Sequence, residues 1–124
     1  MSKQLSLIQA RHKAKMSRRT VTMGLRIPTN TLRMWEYRLE QPDEDMQTKL
    51  ARFYGLKVED IQWKYKPSDV TIASQMMDVS PLTMRKYLRE GRLGMAIPGN
   101  GDKWIYRVDW DEVEKWERLK YSSF

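Results

Sequence analysis

Apolar residues recur three and four positions apart along most of the chain, a spacing typical of amphipathic helices. In the first half this spacing predicts a helix over residues 5–15, a second with Ser17 as its N-cap, and a third over residues 28–37. The pattern resumes at Met46 and continues until Gly55. We expect these helices to form a small bundle.

The predicted helix over residues 28–37 has two unlike faces. Its packed face is expected to consist of Pro28, Thr31, Leu32 and Trp35. Its opposite face, rich in groups that can hydrogen-bond the edges of bases, carries Thr29, Asn30, Arg33 and Met34. An Arg side chain suits guanine and an Asn side chain suits adenine, so this helix is the first candidate for contact with DNA.

The second half begins with a similar pair of helices. Asp69 is expected to cap the first of them, while Ser80 and Pro81 begin the second as N-cap and first helical residue. The packed side of the second helix is expected to hold Pro81, Met84 and Leu88. Its other side carries Leu82, Arg85, Lys86 and Arg89. The division into a packed face and a mainly basic face therefore occurs twice.

The apolar spacing changes from helical to alternating after Gly91. This change predicts strands over residues 93–97 and 103–108, joined by a glycine-containing loop over residues 98–102. Trp104, Tyr106 and Val108 are expected to point inward from the second strand.

A last helix is predicted after the hairpin. Asp109 followed three residues later by Glu112 resembles a capping box, which marks the start of a helix. Its core face is expected to hold Val113, Trp116 and Leu119.

These elements predict a mainly α chain with two small domains, at residues 1–61 and 69–124, joined by a linker at residues 62–68. Seven residues span at most about 25 Å when extended. Trp63 and Tyr65 in the linker could stack on a base, but packing between the two domains is the commoner fate of such residues. The fold class is a helical bundle followed by a helical domain with a small antiparallel β-hairpin.

The charge of the chain favours a nucleic-acid partner without requiring one. Its 23 basic and 16 acidic residues give a net charge of +7. Residues 1–38 hold nine basic residues and one acid, and residues 61–107 hold eight and four, while the two remaining segments are acidic. Many proteins are mildly basic, so charge alone leaves the question open.

Several function classes are poorly supported by the residues present. The chain has no Cys, which excludes disulfides and thiolate metal sites, and a single His, His12, which lies among basic residues. No phosphate-binding glycine motif or cluster of acid, base and nucleophile is present. We expect a cytoplasmic protein that is not an enzyme, with no metal, no cofactor and no membrane segment.

The first half resembles the lambda-repressor and Cro type of helix-turn-helix domain. The resemblance runs without a gap from Leu7 to Ile61. Its matching residues are Met16-Ser17, Ile27-Pro28, Leu32, Trp35-Glu36, Pro42, Leu50-Ala51 and Tyr54-Gly55-Leu56. The resemblance implies phosphate contacts by Arg18 and Arg19 and base contacts by Thr29, Asn30 and Arg33. Three positions depart from the family pattern. Arg26 and Arg38 stand where Gly is common, which predicts mild strain at Arg26, and Thr22 stands where Ala usually packs.

The second half resembles the winged helix-turn-helix of the excisionase and MerR-like families. The matching residues are Ala73, Val79-Ser80, Thr83-Met84-Arg85, Tyr87, Glu90-Gly91-Arg92-Leu93, Trp104, Tyr106-Arg107-Val108, Glu112-Val113 and Trp116. The resemblance implies that Thr83, Arg85 and Lys86 enter the major groove and that Lys103 and Arg107 on the wing contact phosphate or the minor groove. Arg89, on the basic side of its helix, is a further candidate for phosphate contact. Asp78 replaces a frequent Gly. Leu82 stands where a polar or basic residue is common, so fewer hydrogen bonds to base edges are available from this helix. The Leu82 side chain could instead contact a thymine methyl group.

The two resemblances together imply a sequence-specific protein that binds double-stranded DNA. We expect a transcriptional repressor or an accessory regulator of a mobile element such as a phage or conjugative plasmid, monomeric in solution and without a small-molecule effector. Two alternatives remain: an excisionase-like architectural protein that bends DNA, and a protein-interaction module that has lost DNA binding.

Overall fold

The computed structural model describes residues 4–64, 66–101 and 103–120. Within these residues the chain is mainly helical and has a single two-stranded antiparallel sheet, as predicted. The helices are α1 (Leu7–Lys13), α2 (Arg18–Leu25), α3 (Thr29–Glu36), α4 (Glu44–Phe53), α5 (Asp69–Met77), α6 (Pro81–Arg89) and α7 (Trp110–Lys120), with a 3-10 turn at Val58–Asp60. The strands are β1 (Gly94–Pro98) and β2 (Trp104–Val108). None of the described helices combines the length and apolar character that crossing a bilayer demands.

The described chain divides into two compact units, with the boundary between Lys66 and Pro67. Two residues of the predicted linker make hydrogen bonds inside the first unit. The backbone N–H of Gln62 donates to the carbonyl of Leu5 at 2.7 Å, and the indole Nε1 of Trp63 donates to the carbonyl of Val58 at 2.9 Å. Trp63 packs against the core of the first unit. Tyr65, which is also expected to stack on a base or pack between the domains, lies outside the described residues.

The core of the first unit takes side chains from all four of its helices. An amphipathic helix buries one stripe of residues, and here the four stripes meet. The buried cluster consists of Leu7, Ala10, Val21, Leu32, Leu50, Ala51, Tyr54 and Ile61. A single β-bridge between Leu5 and Ile61 joins the beginning and the end of the unit.

The capping residues determine where the helices begin. Ser17 and Ser80 cap α2 and α6 as predicted, each accepting a hydrogen bond from the backbone N–H three residues later. Two other starts differ from prediction. Helix α1 begins at Leu7 because Ser6 caps it, and α5 is capped by Ser68, whose hydroxyl accepts from a backbone N–H, so that Asp69 is the first helical residue.

The turn between α2 and α3 passes through a left-handed residue. Arg26 ends α2 with φ 55° and ψ 48°, the conformation that Gly adopts most easily. The carbonyl of Thr22 accepts hydrogen bonds from the N–H groups of both Arg26 and Ile27. Arg38, the other position where the family pattern has Gly, is also left-handed, with φ 62°. Arg26 therefore adopts the left-handed conformation on which the prediction of mild strain depends.

Helix α3 packs largely through the predicted face, with Trp35 against the core of the first unit and Thr31 half-buried, but it differs from the prediction at both ends. Leu32 is fully buried as expected, but Pro28 is exposed and serves as the N-cap. The second fully buried position of α3 is taken by Glu36. Apolar character alone could not have placed a carboxylate there, because its burial depends on charged partners from other helices.

The β-hairpin of the second unit has one sheltered face and one exposed face. The register pairs Ala96 with Tyr106 and Ile97 with Ile105. Tyr106 and Val108 are half-buried as predicted, whereas Trp104 is 44% exposed and does not point into a core. The exposed face carries Met95, Ile97, Ile105 and Arg107.

Helix α7 is rotated relative to the prediction. Val113 is fully buried as expected, but Trp116 and Leu119 are largely exposed. The buried stripe contains Glu114 and Glu117, and Glu117 lies four residues after Val113 and three after Glu114. Choosing the packed face by apolar character was wrong here, because the helix buries two carboxylate-bearing side chains and leaves a Trp in solvent.

Candidate nucleic-acid interface

The first turn of α3 is the most exposed part of the first predicted DNA-contacting helix. Thr29 and Asn30 are exposed there, and Arg33, one turn later, is half-buried. Leu32 and Glu36 hold the opposite side of the helix in the core. The amide of Asn30 and the guanidinium of Arg33 are groups that can form paired hydrogen bonds with base edges.

Helix α6 presents a comparable surface in the second unit. Leu82, Lys86 and Arg89 are exposed, and Arg85 is half-buried. Met84 and Leu88 are both fully buried and anchor the other side of the helix. Pro81, expected on the packed side, is exposed at the first position of the helix.

The pair α5 and α6 repeats the local geometry of the pair α2 and α3 at a distance of 52 residues, from Arg26 to Asp78. Asp78 ends α5 with φ 58° and ψ 44°, close to the values of Arg26. The carbonyl of Ser74 accepts from the N–H of Val79, as that of Thr22 accepts from Ile27. The two turns therefore share backbone conformation and hydrogen bonds.

Side chains in the two helix pairs also correspond under this shift. Thr22 and Ser74 are both buried, and each hydroxyl donates to the carbonyl three residues earlier, at 3.1 and 2.6 Å. This local bond explains how a hydroxyl is accommodated where the family pattern has Ala. The remaining pairs are Val21 with Ala73, Leu32 with Met84, Glu36 with Leu88, all buried, and Arg33 with Arg85, both half-buried.

The carboxylate of Glu36 joins three helices of the first unit. Its Oε2 accepts from Nε of Arg11 at 2.7 Å, and its Oε1 accepts from Nε of Arg18 at 2.8 Å. The guanidinium of Arg18 also lies 5.3 Å from the ring centroid of Tyr37. These bonds connect α1 and α2 to the C-terminal end of α3, and so hold α3 in position.

The same contacts give Arg18 a partner inside the first unit. This side chain is only 10% exposed and is bound to Glu36, which favours a role in positioning α3, while its predicted phosphate contact stays a prediction. Its positive charge at the start of α2, unfavourable for the helix dipole, is compensated by the Glu36 carboxylate. Arg19, the neighbouring residue in the prediction, is exposed.

Charge pairing also sets the protonation state of Glu36. Burial by itself would raise the pKa of this carboxyl, but the charges and hydrogen bonds of Arg11 and Arg18 outweigh burial and lower its pKa to about 2. Glu36 is therefore ionised throughout the neutral pH range.

Thr83 is the second predicted site residue with a local partner. The hydroxyl of Ser80 donates to Oγ1 of Thr83 at 3.0 Å, and the N–H of Thr83 donates back to Ser80 at 3.1 Å. Thr83 therefore belongs to the N-cap of α6. Its predicted base contact stays a prediction, as do those of Leu82, Arg85 and Lys86 on the same helix.

The hairpin adds cations beside α6. Nη1 of Arg89 donates to the hydroxyl of Tyr106 at 3.1 Å, which ties the end of α6 to β2. Lys103 and Arg107 are exposed, and Arg107 lies on the same face as Met95 and Ile105. The chemistry available around α6 is therefore cationic with exposed apolar groups between the charges.

Sequence reasoning missed the role of Glu36 and Arg11. A signal was present, because Arg11 falls within the apolar stripe of α1 and Glu36 lies four residues after Leu32, so both charges occupy positions that helical spacing assigns to the core. A pair of opposite charges at core positions of different helices indicates a buried ion pair.

Within the ranges given above, no three His, Asp or Glu side chains converge as they would around a metal ion. Comparison of the chain with protein-family models, with curated proteins and with solved structures finds no significant match. The function is therefore inferred from the geometry and chemistry of the residues themselves.

Proposed function

We propose that this chain is a sequence-specific double-stranded DNA-binding protein with two helix-turn-helix readers, the second of them winged. The observation that carries the proposal is the repeated helix pair. Each pair has the same left-handed turn, buried anchors at the same two positions of its second helix, and an Arg at the same position, Arg33 in α3 and Arg85 in α6. We name α3 and α6 the recognition helices.

The dimensions of the recognition helices suit the major groove. Eight and nine residues give lengths of about 12 to 14 Å. The groove is about 12 Å wide and admits one helix, whose exposed first turns meet the base edges. The side chains assigned to bases are Thr29, Asn30, Arg33, Leu82, Arg85 and Lys86.

Exposed cations around the recognition helices support the same proposal. Phosphate contacts are assigned to Arg19, Arg89, Lys103 and Arg107, while Arg18 and Thr83 position the helices that make the base contacts. The net charge of +7 favours attraction to a polyanion, which is sequence-independent and sensitive to salt. We assign no catalytic role and no small-molecule effector to this chain. A transcriptional repressor or an accessory regulator of a mobile element is the role we propose for it.

The central experiment is to select bound duplexes from a random pool and to measure the binding of two variants to the selected site. Arg33→Ala and Arg85→Ala should each lose about 1 to 3 kcal/mol of binding free energy and relax the base preference at one position. Arg52→Ala and Arg118→Ala remove exposed arginines outside the recognition helices and serve as controls. Circular dichroism checks that the variants are folded.

Unchanged affinity in both recognition-helix variants would remove the basis of the proposal. A second measurement is the salt dependence of affinity. Neutralising six or more phosphates should reduce affinity by about a thousandfold between 50 and 200 mM salt. A flat salt response would favour the protein-interaction module instead.

A DNA-bending role is the second candidate, and the exposed face of the hairpin favours it. Ile97 and Ile105 form a cross-strand pair there, with Lys103 before and Arg107 after Ile105 along the chain. Four residues of strand span about 13 Å. This distance is sufficient to place one cation on each side of a minor groove about 6 Å wide, with an isoleucine between them. Apolar side chains in the minor groove are a common means of kinking DNA.

Gel mobility of circularly permuted fragments distinguishes the two roles. An architectural protein should bend its site strongly, and Ile97→Ser with Ile105→Ser should remove most of the bend while specific binding by α3 and α6 persists. Weak bending that the double variant does not change would favour the regulator without an architectural role.

A further inference from the structure

The repeat makes Asn30 and Leu82 equivalent residues. A shift of the sequence by the 52 residues that separate Arg26 from Asp78 aligns Asn30 with Leu82 and Arg33 with Arg85. Both Asn30 and Leu82 are exposed in the first turn of their helices. One position of the same local framework thus carries an amide in the first unit and an isobutyl group in the second.

The surroundings of Leu82 leave it as an apolar group on a polar surface. Its side chain is 69% exposed, so the second unit does not use it for its own core. The hydroxyls of Ser80 and Thr83, on either side of it in the chain, are bonded to each other in the helix cap. The next side chains on the exposed side of α6 are the cations Arg85 and Lys86.

A recognition helix in the major groove meets one apolar feature of the bases. Donors and acceptors of all four base pairs line the groove, and thymine adds a C5-methyl group. A leucine offers no hydrogen bond, so it can discriminate among bases only through that methyl. A cytosine methylated at C5 carries the same group in the same place.

We call the base pairs contacted by α3 the first subsite and those contacted by α6 the second subsite. On the basis of the proposed function, we propose that Leu82 determines specificity in the second subsite by contacting the C5-methyl of a pyrimidine. Asn30 is its counterpart and recognises adenine in the first subsite. The two subsites therefore share a guanine contacted by Arg33 or Arg85 and differ at the base contacted by position 30 or 82. The second subsite accepts 5-methylcytosine in place of thymine at that base.

The test uses the full chain and the duplex selected from a random pool. Each thymine is replaced in turn by deoxyuridine, which removes the methyl group and keeps every hydrogen-bonding group. One replacement in the second subsite should weaken binding by about fourfold, the value of one buried methyl-sized group. Replacement by a 5-methylcytosine–guanine pair at that base should bind more tightly than the unmethylated pair.

Leu82→Ala should bind thymine and deoxyuridine duplexes equally at that position. Leu39→Ala, which truncates another exposed leucine, is the matched control and should keep the difference. A thermal melt establishes that each variant is as stable as the parent, which the exposure of both side chains predicts.

Exchange of the two residues provides a gain of function that a structural role would not produce. Leu82→Asn should acquire a preference for adenine at the same base of the second subsite, by about 5- to 150-fold if the paired hydrogen bonds form. Asn30→Leu should lose its adenine preference and become sensitive to deoxyuridine in the first subsite.

Three results would overturn the inference. These are the absence of any deoxyuridine-sensitive position in the second subsite, retention of the sensitivity by Leu82→Ala, and failure of both exchanges to change base preference. Each of them can occur while Arg33→Ala and Arg85→Ala still weaken specific binding, so they contradict the role of Leu82 alone. Absence of any selected duplex would instead refute the proposed function and this inference with it.

Discussion

Glu36 is a buried carboxylate that is stable only because two arginines are bound to it. Burying a single charge in a protein interior costs several kcal/mol, and the cost is recovered when the partners satisfy it with hydrogen bonds. Arg11 and Arg18 supply those bonds from two different helices. Loss of the carboxylate would leave the buried guanidinium of Arg11 without the negative charge that balances it.

Glu36→Gln should lower the free energy of unfolding of the first unit by roughly 3 to 5 kcal/mol at neutral pH, because a buried pair is broken. Denaturant unfolding followed by circular dichroism measures the change. Asp45→Asn, which breaks the exposed pair with Lys49, is the control and should change stability by less than about 1 kcal/mol.

The pH dependence of the parent protein follows from the same carboxylate. Folding lowers the pKa of Glu36 from 4.5 to about 2, so its stabilising effect is complete above pH 4.5 and is lost as the pH falls toward 2. The Glu36→Gln variant should lack this part of the acid sensitivity. Equal acid sensitivity in both proteins would contradict the assignment.

Tyr54 illustrates the opposite case, a buried polar group with no partner in the described chain. Its hydroxyl is buried without a hydrogen bond, and burial, followed by the charge of Glu36, raises the pKa of the phenol well above its usual value. The hydroxyl therefore remains neutral.

Tyr54→Phe should leave stability unchanged or increase it by up to about 1 kcal/mol, because the buried hydroxyl gains nothing in the folded state to offset its lost hydration. The same denaturant unfolding experiment measures the change. The variant Asp45→Asn, which changes an exposed residue away from Tyr54, is again the reference. A loss of more than about 1 kcal/mol would show that the hydroxyl has a partner.

At the scale of elements, the two left-handed turns decide how each recognition helix leaves its predecessor. Arg26 and Asp78 both occupy this conformation, which is unfavourable for most residues with a Cβ atom. Asp tolerates it better than Arg does. The strain should therefore be greater in the first unit.

Arg26→Gly should stabilise the first unit by about 0.5 to 1 kcal/mol, since the relief of backbone strain exceeds the added entropy of the unfolded glycine. Asp78→Gly is the matched change in the second unit, and we expect a smaller gain. Thermal melts of the two variants compare them directly. A larger gain from Asp78→Gly than from Arg26→Gly would contradict this ranking.

At the scale of the whole molecule, we propose that one chain carries two different recognition helices. Neither recognition helix is long, and each presents only a few side chains suited to bases. Tethering makes the second binding event intramolecular, which raises its effective concentration. An asymmetric site can then be bound specifically without a symmetric dimer.

A duplex that carries both selected subsites should bind at least about 100-fold more tightly than a duplex in which either subsite is scrambled. Fluorescence anisotropy with the three duplexes measures the ratio. If scrambling one subsite leaves affinity unchanged, the corresponding unit does not contact DNA specifically.

The features that the sequence alone predicted correctly depend on residues close together in the chain. Ser17 and Ser80 cap helices through N–H groups three residues away, and the left-handed residue at position 26 is part of a turn closed by Thr22 and Ile27. The hairpin and the mainly helical class follow from local spacing in the same way. Such features can be predicted without knowing which residues pack against them.

Tertiary structure decided which charged residues are buried and which charges are paired. Glu36 and Arg11 are 25 residues apart, and only the packing of α1 against α3 brings them together and withdraws Arg18 from solvent. Likewise, α7 buries Glu117 and exposes Trp116, against their individual preferences for water. Local spacing cannot determine these outcomes, because the free energy of burying a charge depends on a partner that the fold supplies from elsewhere in the chain.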